Sequence, residues 1–283
     1  MTTCKQTTSI VKELITRTIT GAVFLVLIAG SIFWSPYAFF AIAGVFSMIG
    51  LYEFFRLFYP NHTIAQHLTF YFSGLTIYLI TGLVGIGVFD VRMMIFVLIL
   101  FYLIAMLELF RKDSSWDKIG VYFSGFIYVA VTFGLLNALY YMGNQSGETF
   151  FPGVLLGIFL LTWSNDVFAY LTGSAIGKTK LFERHSPKKT WEGCLGGLLF
   201  AMVMAWILAQ YFTQLSETQW VITAAIVVVF GTLGDLVESL LKRNKQVKDS
   251  GSIFPGHGGV LDRFDAVLFA TPFVFLYLSF FVR

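Results

Sequence analysis

Ser239–Asp265 reads S-L-L-K-R-N-K-Q-V-K-D-S-G-S-I-F-P-G-H-G-G-V-L-D-R-F-D. Lys242, Arg243, Lys245, Lys248 and Asp249 lead into a glycine-rich turn that holds His257, and Asp262, Arg263 and Asp265 follow it. The flanks are apolar, with I-T-A-A-I-V-V-V-F at 222–230 before the stretch and A-V-L-F-A at 266–270 after it. A polar cluster this dense between two greasy segments predicts a loop at the mouth of a membrane-embedded cavity, with the flanks as transmembrane helices.

The rest of the chain supports that reading. It is 57% hydrophobic and 12% charged, where a soluble domain carries about 25% charged residues. A bilayer core needs about 20 mainly apolar residues per helix. Segments near 18–34, 36–55, 68–89, 92–110, 119–141, 152–174, 193–213, 219–241 and 264–282 qualify. The expected fold is therefore all-α: a polytopic integral membrane protein of about nine transmembrane helices. The first segment lacks a small-residue cleavage site and is expected to be retained. With the N-terminus in the cytoplasm, only Arg92 and Arg283 of the 19 lysines and arginines fall outside, leaving 17 inside. This positive-inside bias predicts the N-terminus in and the C-terminus out. It also puts the basic loops 175–192 and 242–263 on one face. The motifs divide the chain into an N-terminal transmembrane region, 1–150, and a C-terminal catalytic region, 151–283. Cys4 and Cys194 are distant in sequence, so no disulfide framework or CxxC metal pair is available. Gly153/Gly157, Gly173/Gly177 and Gly193/Gly197 are G-x-x-x-G pairs that let helices approach closely.

Several charges lie at membrane depth. Asp166 sits in S-N-D-V-F-A-Y, and Asp235 and Glu238 in G-D-L-V-E-S. At 1.5 Å per residue Asp235 lies ~10 Å below Lys242 along its helix. Asp235, Glu238 and Ser239 are spaced to share one helical face. Ionised carboxylates there must line an aqueous cavity, pair, or bind a cation; the plainer alternative is a set of ion pairs with nearby Lys and Arg. With oxygen ligands and no Cys or His set, Mg²⁺ or Mn²⁺ is preferred to zinc. Glycines around His257 bring backbone N–H groups towards an anion, although a simple turn histidine has the same sequence. Ser186, Lys188 and Lys189, in S-P-K-K-T-W-E-G, offer hydroxyl and ammonium donors to a phosphate at a helix entrance, or a positive-inside anchor. Glu192 is expected to pair a lysine or contact a metal. Glu53, Arg56, Glu108 and Arg111 are expected to be boundary anchors, and His62 and His67 loop residues.

At these residues the sequence resembles the phosphatidate cytidylyltransferase, or CDP-diacylglycerol synthase, family. Ser239, Leu241, Lys242, Arg243, Lys248, Asp249, Gly251, Phe254, Pro255, His257, Gly258, Gly259, Asp262, Arg263 and Asp265 match its C-terminal signature without a gap. S-P-K-K-T-W-E-G and G-D-L-V-E-S are similar to upstream family motifs. One departure is G-S-A-I-G-K at 173–178, where family members often have G-R-x-F-G-K. The resemblance implies CMP transfer from CTP to phosphatidate, releasing diphosphate. It implies Mg²⁺, with Mn²⁺ as a substitute, on Asp235 and Asp262, and a second cation in the paired-metal site. Asp235, Lys248, Asp249, His257, Asp262, Arg263 and Asp265 are the implied catalytic residues. Ser186, Lys188, Lys189, Ser239, Lys242 and Arg243 are the implied substrate-binding residues. The expected setting is a bacterial inner membrane with the site facing the cytoplasm; the family suggests a homodimer, and no nucleic-acid partner is expected. A CTP-dependent lipid kinase and a cation transporter are the rival classes. A cysteine placed at Lys248 is expected to react with an impermeant thiol reagent from the cytoplasmic side only; labelling from outside alone would reverse the orientation.

Overall fold

The computed structural model describes residues 2–61, 67–111, 114–142, 150–184, 186–256 and 258–282. Most of them are helical. In chain order the elements are α1 (Thr2–Trp34), α2 (Pro36–Phe58), α3 (Leu68–Gly85), α4 (Met94–Leu109), α5 (Trp116–Gly125), α6 (Thr132–Tyr141), α7 (Gly153–Ile176), β1 (Lys180–Phe182), β2 (Ser186–Thr190), α8 (Trp191–Tyr211), α9 (Glu217–Asn244) and α10 (Leu261–Phe281). A 3₁₀ turn, Val91–Met93, leads into α4, and a π-helical stretch, Phe126–Val131, joins α5 to α6. Among the described residues, eight helical spans are long and apolar enough to cross a membrane, the α5–π–α6 run counting as one, and α1 has a shorter apolar part, Thr18–Trp34.

Local sequence sets the breaks. Pro36 opens α2 and the Ser35 hydroxyl accepts from the Ala38 N–H at 3.0 Å; proline suits the first helical position because its missing N–H would be unpaired there anyway. Ser216 and Gln219 close a reciprocal capping box at the start of α9, satisfying two N–H groups that a helix end otherwise leaves without partners.

The basic loop between α7 and α8 departs from the all-helical expectation. It folds as a short antiparallel hairpin, β1 on β2. The Trp191 N–H donates to the Thr179 carbonyl at 2.9 Å, and the Glu192 carboxylate accepts from the Thr179 N–H at 3.1 and 3.2 Å. Glu192 thus closes the hairpin. The Thr190 hydroxyl then caps α8 by accepting from the Gly193 N–H.

An expected boundary anchor and an expected loop histidine are interior groups. Glu108 is 2% exposed and faces Lys118, 3% exposed, at 3.0 Å, with Arg111 at 3.7 Å. A carboxylate buried this far stays charged only beside a cation. His67 is buried too, 3.0 Å from the Tyr122 hydroxyl and packed on Phe55; His62 lies outside the described residues.

Small residues let helices touch. A Cβ on Gly193 would come within 3.1 Å of the Gly173 Cα, so α7 and α8 cross glycine on glycine. One helical stripe higher, the Trp220 ring of α9 fills the space where Gly157 would carry a Cβ. Rings knit the other side of the bundle. Phe264, 1% exposed, meets Phe24 of α1, Phe46 of α2, Phe133 of α6 and Phe159 of α7 at centroid distances of 5.4, 5.4, 5.0 and 6.3 Å. Each such pair contributes about 0.5–1.5 kcal/mol beyond its burial. Gly157→Val is expected to overpack the Trp220 contact and to cost about 1–3 kcal/mol, read as a lower melting temperature in detergent.

Candidate functional site

One end of the bundle gathers the C-terminal end of α7, the β-hairpin, the start of α8, the end of α9 and the start of α10. Lys189 Nζ, from the hairpin, lies 2.5 Å from Asp235 Oδ2 on α9, and the Ser239 hydroxyl, one turn on, donates to Asp235 Oδ1 at 3.2 Å. The Lys189–Asp235 contact ties the 175–192 loop to the C-terminal half of α9.

A second node forms where α10 begins. Asp262 Oδ2 accepts three hydrogen bonds at 2.8 Å, from the Ser250 N–H, the Ser250 hydroxyl and the Gly259 N–H. Asp262 Oδ1 accepts from Lys242 Nζ at 2.6 Å. The same ammonium stands 3.2 Å from Glu238 Oε1, within ion-pair reach but off the hydrogen-bonding direction. Lys242 is thus a buried cation held between carboxylates on α9 and α10, where burial is tolerable only because both partners are present. Asp265 accepts from the Ala266 N–H at 2.7 Å and has Glu238, Asp235 and Asp166 as charged neighbours.

Two cavities open on this cluster. The larger, about 550 Å³, is lined by Asp166, Lys180, Lys188, Lys189, Thr232 and Asp235 among others. The smaller, about 230 Å³, lies against α1 and is lined by Thr20, Phe24, Trp163, Phe254, Asp262, Arg263 and Asp265, again with Asp166. Asp166 is a wall of both. The larger cavity is basic on its hairpin side and acidic at its base. The smaller combines four charged residues, Asp166, Asp262, Arg263 and Asp265, with three aromatic ones, Phe24, Trp163 and Phe254. Around them the five carboxylates Asp166, Asp235, Glu238, Asp262 and Asp265 face the five cations Lys180, Lys188, Lys189, Lys242 and Arg263. Hard carboxylate oxygens of this kind suit a divalent cation of the Mg²⁺ type. Among the described residues, no three Asp, Glu, His or Cys side chains converge closely enough to form a ready-made metal cage.

The other expected site residues distribute as follows. Ser186 starts β2 and is half-buried; Lys188 is exposed on the same strand, at the wall of the larger cavity. Arg243 is exposed and donates to the Val247 carbonyl at 3.3 Å. Lys248 and Asp249 are exposed on the turn after α9 and line neither of these cavities. His257 lies outside the described residues.

The residue missed by sequence reasoning is Glu53. It is no boundary anchor: it is 2% exposed, and its Oε2 accepts from the Leu261 N–H at 3.0 Å and stands 3.4 Å from the Ser250 hydroxyl. The signal available beforehand was a lone carboxylate in the otherwise apolar A-G-V-F-S-M-I-G-L-Y-E-F-F, with nothing in the sequence to say what it faces.

The profile of the cytidylyltransferase family matches residues 15–281. A phosphatidate cytidylyltransferase of Bacillus subtilis is 37% identical over 199 residues, 70% of either chain. One of Haemophilus influenzae is 45% identical over 134 residues, 46% of either chain. One of Staphylococcus aureus is 45% identical over 120 residues, 42% of this chain and 46% of the other.

Lys242→Met is expected to leave the Glu238 and Asp262 carboxylates facing each other without a cation and to cost about 3–5 kcal/mol. The exposed Lys188→Met should stay within about 0.5 kcal/mol of the parent. Thermal unfolding of the two variants side by side checks the contrast.

Proposed function

We propose that this chain, which belongs to the cytidylyltransferase family, is a phosphatidate cytidylyltransferase that transfers CMP from CTP to phosphatidate, giving CDP-diacylglycerol and diphosphate. The observation that carries the reading is the pairing of Lys189 with Asp235 and of Lys242 with Asp262 at one mouth of the bundle, beside cavities of two different characters. A water-soluble polyanion and an anionic lipid need such a meeting place.

The reaction is a displacement at phosphorus. A phosphate oxygen of phosphatidate forms a bond to the α-phosphorus of CTP as the bond from that phosphorus to the β-phosphate oxygen breaks. The electron pair leaves with diphosphate. The nucleophile is already anionic near neutral pH, so no strong base is required. Positioning and charge neutralisation carry the catalysis. In this reading Lys180, Lys188 and Lys189 hold the CTP phosphates in the larger cavity, with Ser186 at its hairpin edge. Arg263 holds the phosphatidate phosphate in the smaller one, and Phe24, Trp163 and Phe254 receive the start of its acyl chains. Lys242, Arg243 and Lys248 add positive charge for diphosphate, and Asp249, His257 and Asp265 complete the loop.

Mg²⁺ would be held by Asp235 and Asp262, with Mn²⁺ as a substitute and a second cation alongside. When bound it supplies charge for the phosphate oxygens. The residues fit it. Three donors saturate Asp262 Oδ2, which leaves Oδ1 as the oxygen for a cation, and in the structure an ammonium group stands there. Asp235 is likewise capped by an ammonium.

The proposal includes nine spans, with Thr18–Trp34 as the first, the N-terminus in the cytoplasm and the C-terminus outside. The site then faces the cytoplasm of a bacterial inner membrane, where CTP is available, and the protein works as a homodimer. Purified protein given phosphatidate micelles, Mg²⁺ and CTP labelled at the α-phosphate is expected to put the label into lipid; a kinase would leave it in CDP. Asp235→Asn and Asp262→Asn should each abolish that transfer. Retention of activity within tenfold, about 1.4 kcal/mol of barrier, would overturn the shared-cation role.

A further inference from the structure

We infer that Glu53, from the N-terminal part of the chain, is a positioning residue for Asp262: it clamps the signature loop from beneath. The inference rests on the reading above that Asp262 serves the phosphate chemistry. The clamp itself stands on geometry alone.

Glu53 lies more than a turn before the end of α2, far from the C-terminal motifs in sequence. Its carboxylate sits under the first turn of α10, where the Leu261 N–H has no carbonyl of its own helix to bond. Oε2 takes that N–H at 3.0 Å. Oε1 is buried, with no hydrogen-bond partner at ordinary geometry. It abuts Gly251 and Gly259, and a Cβ on either glycine would collide with the Glu53 carboxylate. The loop therefore folds over this group at two glycines and is tied to it at Leu261.

Both ties adjoin the donors of Asp262. Ser250 and Gly259 supply all three hydrogen bonds to Asp262 Oδ2, and Gly251 and Gly259 are the residues seated on Glu53. The Ser250 hydroxyl stands between the two carboxylates, 2.8 Å from Asp262 and 3.4 Å from Glu53. One turn earlier on α2, a Cβ on Gly50 would meet the Leu261 side chain at 3.2 Å, so the same face of α2 fixes the start of α10 sterically as well. Moving the Glu53 carboxylate releases the loop, and with it the direction of Asp262 Oδ1.

Glu53→Asp withdraws the carboxylate by one methylene, whereas Glu53→Gln keeps an acceptor oxygen at full reach. Amide hydrogen exchange of the 250–261 segment, with turnover of CTP and phosphatidate, separates the roles. For Glu53→Asp the expected result is ~tenfold faster exchange in that segment only. A fall in kcat of about a hundredfold, the scale of a 1 Å misplacement, should accompany it with little change in the KM for CTP. Glu53→Gln should restore most of both. Parental exchange and kcat in Glu53→Asp would overturn the clamp. So would exchange that rises equally in every helix, which would make Glu53 a general stability element. A parent that protects 250–261 but transfers no CMP would instead defeat the proposed function and leave the clamp standing.

Discussion

Everything at the functional end depends on stabilising irregular backbone where water is scarce. A loop that enters a membrane protein must find partners for its N–H groups within the protein. Here carboxylates supply them. Asp262 takes the N–H groups of Ser250 and Gly259, and Glu53 takes that of Leu261. An ionised acceptor makes a stronger hydrogen bond than a carbonyl does, so few residues suffice to hold the turn. The arrangement also fixes which oxygen of Asp262 is saturated and which looks outward.

Around that turn, packing and chemistry share the same few residues. Around D-R-F-D the buried residues are Leu261, Phe264 and Leu268, three or four apart on one face of α10. Asp262, Arg263 and Asp265 occupy the remaining directions and line the smaller cavity. On the opposite side Lys189 and Lys242 neutralise carboxylates on α9 and α10. The larger cavity is thus bounded by the matched Lys189–Asp235 pair, and Asp166 is the wall it shares with its neighbour.

Much of this was legible in the sequence because its signals are local. Apolar runs of membrane length fall close to the helices from α2 to α10. The elements that were not legible depend on distant partners. Glu53 meets residues 197 and 208 positions away. His67 pairs with Tyr122 across 55 positions. Nothing in a single apolar helix distinguishes a carboxylate that anchors at a boundary from one that caps another helix. The hairpin between α7 and α8 was missed for another reason: its strands are very short and hydrophilic, and the Glu192–Thr179 closure is set by the turn, not by alternation of apolar residues.

The Phe264 contacts bear on how the protein is made. Its ring is received by Phe24, Phe46, Phe133 and Phe159, all of which leave the ribosome before it. The aromatic socket is therefore complete before its occupant is synthesised. When α10 docks, the ring that fills the socket carries Asp262 and Asp265 into place on the same turn. Until then the chain holds a greasy hollow and an acidic α9 without their counterparts. The node around Asp262 thus forms only when α10 docks, and a nascent chain stalled before Phe264 would have the bundle's outline without that node.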